Sequence, residues 1–358
     1  MRVVVATVVH HPSDARIFHR QIEALLSAGH EVTYLAPFDR GGAPFRDGLS
    51  CRELPRSRGW RRLSSLHAAS TALAEETIEA QVAVVHDPEL TLLSRSISCP
   101  KVFDIHEDLR AQVEDKDWIP RLFRPVGRIL AAMLEERATK RFELMLAEDS
   151  YLGRYPSGVV IRNRPVLPDK VKSSGDSRLV YVGRVSLGRG LETMLAANRL
   201  VGNGRTLDLY GPVDSSAQAL LAEYESEGTV VSHGFTAGPA ALQSIQGAMA
   251  GLSLLRDLPN YRHSMPTKIL EYMANGVPVI TTPLPEACRL VEETGAGIVV
   301  PFDDPEAVAD AVETLSDPAF RQQCSDNGRR AVAERYDWAT EAGLMVDFLE
   351  GVATGDKG

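Results

Sequence analysis

Two stretches of the chain gather residues suited to holding an anion. In YVGRVSLGRG, Tyr181 to Gly190, a strand-like run leads into a helical one. Gly183 and Gly190 let the backbone approach a ligand closely, and Arg184 and Arg189 supply positive charge. The helix that follows offers unpaired N–H groups, so loop and helix together suit a diphosphate, which guanidinium groups grip bidentately. Two solvated arginines in a glycine-containing loop account for the same residues equally well. The second stretch is SMPTKILEYMANGVPVITT, Ser264 to Thr282, where Pro266 suits a first helical turn and Asn275-Gly276 ends the helix. Ile269, Leu270 and Met273 form its buried stripe, and Glu271 falls among them. A carboxylate there could accept hydrogen bonds from two vicinal hydroxyls of a pentose. Taken alone, a surface glutamate helped by the helix dipole is the plainer account of Glu271, and Lys268 reads as a solvated side chain.

Three further clusters mix histidine with acid: His10-His11, His86-Asp87, and Asp104, His106, Glu107 and Asp108. Each follows a predicted strand, so all three share one edge of a sheet. Such a set could bind metal, move protons or position sugar hydroxyls. Metal is the weakest of these, because no His-x-x-x-His spacing pins the ligands, and no metal is expected. A basic set, Arg56, Arg58, Arg61 and Arg62 around Trp60, then Trp118, Arg121, Arg124 and Arg128, suits either a solvated helix face or an anionic membrane surface.

These residues need a scaffold, and 358 residues with 44% hydrophobic content suffice for two domains. Short Val/Ile-rich runs alternate with amphipathic segments, the pattern of parallel α/β architecture. Strands are expected at Val3–Val9, 31–37, 83–86, 101–105 and 144–148, with a helix from Ala15 capped by Ser13 or Asp14 and a long helical region over 121–141. The Pro-, Ser- and Gly-rich segment 160–177 reads as a linker. A second alternating set begins at Arg178 and runs to a helix capped by Asp304 with Pro305 at its first position, and the chain closes on a helical segment from Arg330. The expected organisation is two Rossmann-like domains, 1–165 and 166–335, facing across a cleft, with 336–358 a terminal helix that can cross back to the first. In such sheets ligands bind beyond the carboxyl ends of the strands.

The net charge of −9 excludes a generally nucleic-acid-binding surface. Cys51, Cys99, Cys288 and Cys324 are scattered, which fits a reducing compartment. The start of the chain lacks the pattern of a secretion signal, and no run approaches the ~20 apolar residues of a membrane span. The expected location is the cytoplasm, with peripheral contact at the inner membrane face left open. GxGxxG, GxxxxGK[ST] and GxSxG do not occur, which disfavours dinucleotide enzymes, P-loop NTPases and serine hydrolases.

Five segments in order resemble the retaining GT-B glycosyltransferases of family 4, the glycosyl transferases group 1: DARIFHRQIEALLSAGHEVTYLAP; HDPEL with FDIHEDL; GRVSLGRGLETML; PTKILEYMANGVPVITT; and AGIVVPFDDPEAVADAV. The resemblance implies transfer of a hexose-type sugar from a nucleoside-diphosphate sugar (UDP, GDP or TDP not distinguished) to a hydroxyl acceptor, with retention of configuration. The family's reaction is described as a front-face displacement in which the leaving diphosphate assists deprotonation of the acceptor. The acceptor is a small molecule, a glycan or a lipid-linked glycan, and the nucleotide-sugar serves as co-substrate with no other cofactor. Arg184 and Arg189 match the cationic pair on the diphosphate, Glu271 the acid on the ribose, and His106 the histidine at the reaction centre; His106, Arg184 and Arg189 are the expected catalytic set. Gly183, Ser264, Met265, Pro266 and Thr267 complete the donor side with His263. His263 stands where the family often has the first of two glutamates. His10, His11, Arg16, His86, Asp87 and Glu107 form the expected acceptor side. HHPSDAR replaces the family's Gly-Gly loop after the first strand, which makes Arg16 a candidate phosphate or substrate contact. A sugar-nucleotide epimerase of the same architecture, and a sugar-nucleotide-binding protein without turnover, are the competing readings.

Overall fold

A computed structural model describes residues 1–39, 42–59, 62–106, 124–175, 177–202, 204–258, 261–262 and 267–355, with backbone only over 124–131. The chain divides into two units: Met1–Asn163 with Ala339–Gly358, and Arg164–Trp338.

The first unit holds strands β1 (Arg2–Ala6), β2 (Glu31–Ala36), β3 (Leu49–Glu53), β4 (Val82–Val85), β5 (Lys101–Ile105), β6 (Glu143–Leu146) and β7 (Val159–Val160). They form a seven-stranded sheet in the order β3-β2-β1-β4-β5-β6-β7, every pairing parallel. All four residues of β4 and the last four of β1 are buried, as parallel strands covered on both faces require. Two short strands escape the periodicity argument: Leu49–Glu53 is a half-exposed edge strand with no apolar run, and Val159–Val160 is only two residues long. The helix Arg62–Glu76, rich in Ser and Ala, also lacks a strong apolar stripe, yet buries Ala69, Ala72 and Leu73. The helix expected from Ala15 begins as a wide π-helical turn, Ile17–Ile22, and continues as Glu23–Ser27. Asp14 caps it, its Oδ1 accepting from the amides of Arg16 and Ile17 at 2.8 and 2.9 Å. Of the long helical region expected over 121–141, the described part is Arg124–Thr139.

The second unit holds β8 (Arg178–Val182), β9 (Thr206–Tyr210), β10 (Val230–Ser232), β11 (Ala250–Ser253), β12 (Val279–Thr281) and β13 (Gly297–Val299), ordered β10-β9-β8-β11-β12-β13 and again wholly parallel. Helices Leu191–Val201 and Pro305–Thr314 pack on one face with Leu195, Leu209, Leu252 and Val312 between; helix Thr267–Ala274 covers the other through Ile269, Leu270 and Met273. Asp304 caps Pro305–Thr314 by accepting from the Ala307 amide at 2.9 Å.

The closing helical segment is not continuous. Helix Pro318–Ala331 passes through a wide turn, Val332–Tyr336, and breaks at Asp337, whose ψ of 141° is extended. Asp337 accepts from the Leu167 amide at 3.3 Å, and the Trp338 amide donates to Pro165 at 2.9 Å, so the break ties down the start of the second unit. The helix Trp338–Thr354 then packs within the first unit, where buried Glu341 accepts from the Arg162 amide at 2.8 Å and Nη1 at 3.3 Å.

Gly190 and Gly29 share a left-handed backbone, φ +82° and +81°, in unlike surroundings. A Cβ on Gly190 would lie 2.0 Å from the Leu254 carbonyl oxygen, whereas one on Gly29 meets nothing within 4 Å. Gly190→Ala is therefore expected to lower unfolding stability by about 2 kcal/mol or more and Gly29→Ala by about 1 kcal/mol. Urea unfolding midpoints check this; equal costs would refute the packing argument.

Candidate functional site

In the first unit the carboxyl ends of β1, β4 and β5 bring the three histidine–acid clusters together around one buried carboxylate. Asp104 is 1% exposed and Arg16 3% exposed. Arg16 holds Asp104 side-on, Nε to Oδ2 at 2.8 Å and Nη2 to Oδ1 at 2.7 Å, and Nη2 also donates to the Ile161 carbonyl at 3.0 Å. Oδ2 accepts further from Gln21 Nε2 at 2.9 Å and pairs with His86 Nδ1 at 3.1 Å. His106 Nδ1 lies 3.1 Å from the Asp104 carbonyl oxygen and 3.4 Å from its carboxylate. Both acceptors favour a proton on Nδ1, which leaves the His106 Nε2 lone pair outward. That atom is 3.2 Å from His10 Nε2, which must then be the donor. His10 is braced by Asp87 at 3.4 Å and Asp14 at 3.8 Å.

Burial opposes ionisation of Asp104, but the Arg16 guanidinium and the hydrogen bonds from His106 and His86 hold its carboxyl well below the usual range. Burial pushes His86 down, with the Asp104 contact working against it. Asp14 behaves as Asp104 does: burial raises it, while His10 and the amide of Ile17 keep it low. Asp87 has a structural task, since its Oδ2 accepts from Thr7 Oγ1 at 2.8 Å and from the Val8 amide.

Three sequence expectations change here. Arg16, expected as a phosphate or substrate contact, is buried inside the unit with Nε and Nη2 on Asp104, while its buried Nη1 has no partner among the described residues. His86 and Asp87, 2% and 1% exposed, lie beneath the edge rather than on it. His10, His11 and His106 remain partly exposed, and Glu107 lies outside the described residues, as do Asp108, Trp60, Arg61, Trp118 and Arg121. His86, Asp104 and His106 have ligand atoms within 4.8 Å of one another, a spacing a metal ion would tolerate. Both oxygens of Asp104 are already engaged by a guanidinium, and the carboxylate also faces His106 Nδ1 at 3.4 Å. Gln21 and Thr7 escaped the motif reading, yet each carried a signal: a polar residue inside an apolar helix stripe or strand needs a buried partner.

In the second unit the Tyr181–Gly190 segment follows β8 as expected. Gly183 has φ +128° and donates its amide to Tyr210 at 2.8 Å. Arg189 is half-buried, with Tyr181 and Tyr261 hydroxyls as partners, and sits one residue before Gly190, where helix Leu191–Val201 begins. Arg184 is exposed, and its Nε pairs with Asp214. The two arginines are thus not equivalent: one is aimed along the loop, the other neutralised beside it. Helix Thr267–Ala274 is locked to the sheet by Tyr272, which is fully buried; its hydroxyl accepts from the Val182 amide at 3.0 Å and donates to the Leu252 carbonyl at 3.2 Å. That strut, which motif reading missed, sets the height of half-buried Glu271 beside it and of Lys268 one turn earlier. Lys268 Nζ is 5.2 Å from the Tyr181 ring centroid. Thr267 begins the helix; His263, Ser264, Met265 and Pro266 lie outside the described residues.

Residues 176–317 match the family described as glycosyl transferases group 1. Over 165 residues the chain is 30% identical to an alpha-D-kanosaminyltransferase of Streptomyces kanamyceticus, covering 44% of this chain and 41% of that one. Over 87 residues it is 36% identical to a phosphatidyl-myo-inositol mannosyltransferase of Mycobacterium leprae (strain TN), covering 24% and 23%. The matches thus span less than half the length of these relatives. Among solved structures, sucrose-phosphate synthase from Thermosynechococcus elongatus superposes with TM-score 0.75 at 18% identity, covering 99% of both chains. Anabaena HepE in complex with UDP-glucose superposes with TM-score 0.70 at 14% identity, covering 98% of this chain and 100% of that one.

Removing the carboxylate leaves a buried guanidinium without an anion, so Asp104→Asn is expected to cost about 3–5 kcal/mol, most of it recovered when Arg16→Met is added. Chemical unfolding of the two single variants and the double variant reads this out; strictly additive losses would contradict it. Because burial holds folded His86 below its ordinary 6.5, the unfolded chain binds the extra proton, and stability present above that pH is lost as pH falls through it. His86→Gln should flatten the decline of the melting temperature between about pH 7 and 5.

Proposed function

We propose that the protein is a glycosyltransferase of group 1, the family whose description residues 176–317 match, on the GT-B fold of its structural neighbours, and that it transfers a sugar from a nucleoside-diphosphate sugar to a hydroxyl acceptor. The observation that carries this is the loop after β8. A half-buried guanidinium, Arg189, a glycine-shaped backbone and the first turn of helix Leu191–Val201 converge where a diphosphate would be held. Glu271, one helical turn beyond Thr267, is assigned the ribose hydroxyls. Thr267 and the preceding His263–Pro266 segment are assigned the rest of the donor.

The first unit is assigned the acceptor. The partly exposed imidazoles of His10, His11 and His106 are assigned to the acceptor, with His106 oriented through Nδ1 by Asp104 and its Nε2 against His10 Nε2. Transfer proceeds with retention: the leaving diphosphate takes the acceptor proton while Arg189 and the helix amides neutralise the charge that develops on it. Such preorganised donors contribute about 3–4 kcal/mol each. Arg184 reaches the anion only by leaving Asp214, so its contribution is the smaller of the two. The similarity to an alpha-D-kanosaminyltransferase and a phosphatidyl-myo-inositol mannosyltransferase supports sugar transfer as the class and leaves hexose type, base and acceptor to experiment.

Transfer from UDP-, GDP- and TDP-sugars to a panel of acceptors is the direct measurement, run beside incubations with no acceptor. Product only with acceptor is expected; conversion of the donor alone would identify an epimerase instead. Arg189→Gln and Glu271→Gln should each lower kcat/KM about 100-fold or more and Arg184→Gln about 10-fold. Undiminished turnover in Arg189→Gln and Glu271→Gln would overturn the assignment.

A further inference from the structure

Lys268 is outside the cationic pair that the sequence singles out, and its surroundings are unusual for a lysine. It is the second residue of helix Thr267–Ala274, at the helix end where a positive charge is disfavoured. Its side chain runs beneath the loop after β8: a Cβ built on Gly183 would lie 2.5 Å from Lys268 Cε and 2.9 Å from Nζ. The ammonium therefore fills the space that the missing side chain of Gly183 leaves. Among the described residues, Nζ donates no hydrogen bond. Its charged and polar neighbours are Arg189 from the loop, which repels it, Glu271 on its own helix, which attracts it, and Tyr181 on β8, whose ring it overlies. Among the described residues, Arg189 and Lys268 thus lie with the half-buried carboxylate of Glu271 under a loop that already offers backbone amides. With Arg184 drawn off to Asp214, the free positive charge at this place comes from Arg189 and Lys268 together.

We propose that Lys268 is a direct ligand of the donor's diphosphate, working through the space vacated at Gly183. This rests on the reading of the loop as a diphosphate site and goes beyond the arginine pair. Burial and the repulsion of Arg189 bring the Lys268 ammonium down to about 7, with Glu271 pulling the other way. The sign follows from linkage. Below pH 7 the free protein already carries the charge; above it the amine is neutral and a binding anion must draw a proton from solvent. Donor affinity is therefore full below that pH and falls as pH rises, by up to about tenfold per unit until the amine of the complex itself titrates.

The test is calorimetric titration with UDP-glucose, GDP-mannose and TDP-glucose, whose diphosphate diesters do not titrate between about pH 6.5 and 8.5. Each is measured at about pH 6.5 and about pH 8 in two buffers of different ionisation enthalpy. The wild-type protein is expected to take up more than half a proton per donor at about pH 8 and to bind about 5–10-fold more weakly there than at pH 6.5. Lys268→Met should bind at least 10-fold more weakly at pH 6.5, with no proton uptake and no change of affinity with pH. Lys268→Arg, which keeps a charge that does not titrate in this range, should also take up no proton, and it decides the matter if the methionine variant does not fold. A Lys268→Met variant that binds as the wild type does, or proton uptake that persists in Lys268→Arg, overturns the role of Lys268 and leaves the diphosphate site standing. Failure of the wild type to bind any of the three donors overturns both.

Discussion

A strand buried on both faces tolerates few polar side chains along its length, and both sheets of this protein are wholly parallel. Polar chemistry is thereby pushed to the strand ends, and parallel pairing sends all carboxyl ends of a sheet to the same edge. Thr7, His10, His86, Asp87, Asp104 and His106 gather in the first unit for this reason, although they are scattered over a hundred positions of sequence. The loops after β8 and β11 and the helix Thr267–Ala274 are juxtaposed in the second unit by the same constraint. Asp104 is the exception that shows the cost. It is a carboxylate inside a buried strand, and it stays there because four donor side chains converge on it.

The two edges solve opposite electrostatic problems. In the first unit the charges are closed on one another: Arg16 on Asp104, Asp14 on the helix amides, Asp87 on the amide of Val8. The partly exposed groups at this edge are the imidazoles of His10, His11 and His106, ring nitrogens that can donate to or accept from hydroxyl groups. In the second unit positive charge is left incompletely balanced. Arg189 answers to tyrosine hydroxyls, and Lys268 to the face of an aromatic ring and to Glu271 on its own helix.

Local pattern alone determined a good deal. Apolar runs such as VVVA and AVV announced central parallel strands, because continuous burial demands continuous hydrophobicity. The Asp304-Pro305 start and the glycine spacing around Arg189 were equally readable, because capping and left-handed turns depend on neighbours within a few residues. Elements stabilised by partners far along the chain were not: the half-exposed edge strand Leu49–Glu53, the Ser/Ala-rich helix Arg62–Glu76, and the break at Asp337, which exists because Leu167 and Pro165 hold the chain there.

The same division runs through the site. Residue type and order marked out the histidines, the acids and the arginines, since chemistry is written in side-chain identity. Which of them reach a ligand was decided by packing. Arg16 looks on paper like a substrate contact, but Asp104, 88 residues away, claims it; Arg184 looks equal to Arg189, but Asp214 neutralises it; Lys268 looks solvated, but the absent side chain of Gly183 draws it under the loop. Charge belongs to the residue and can be read from the sequence, whereas burial and pairing belong to the space between residues and arise only when the chain has folded.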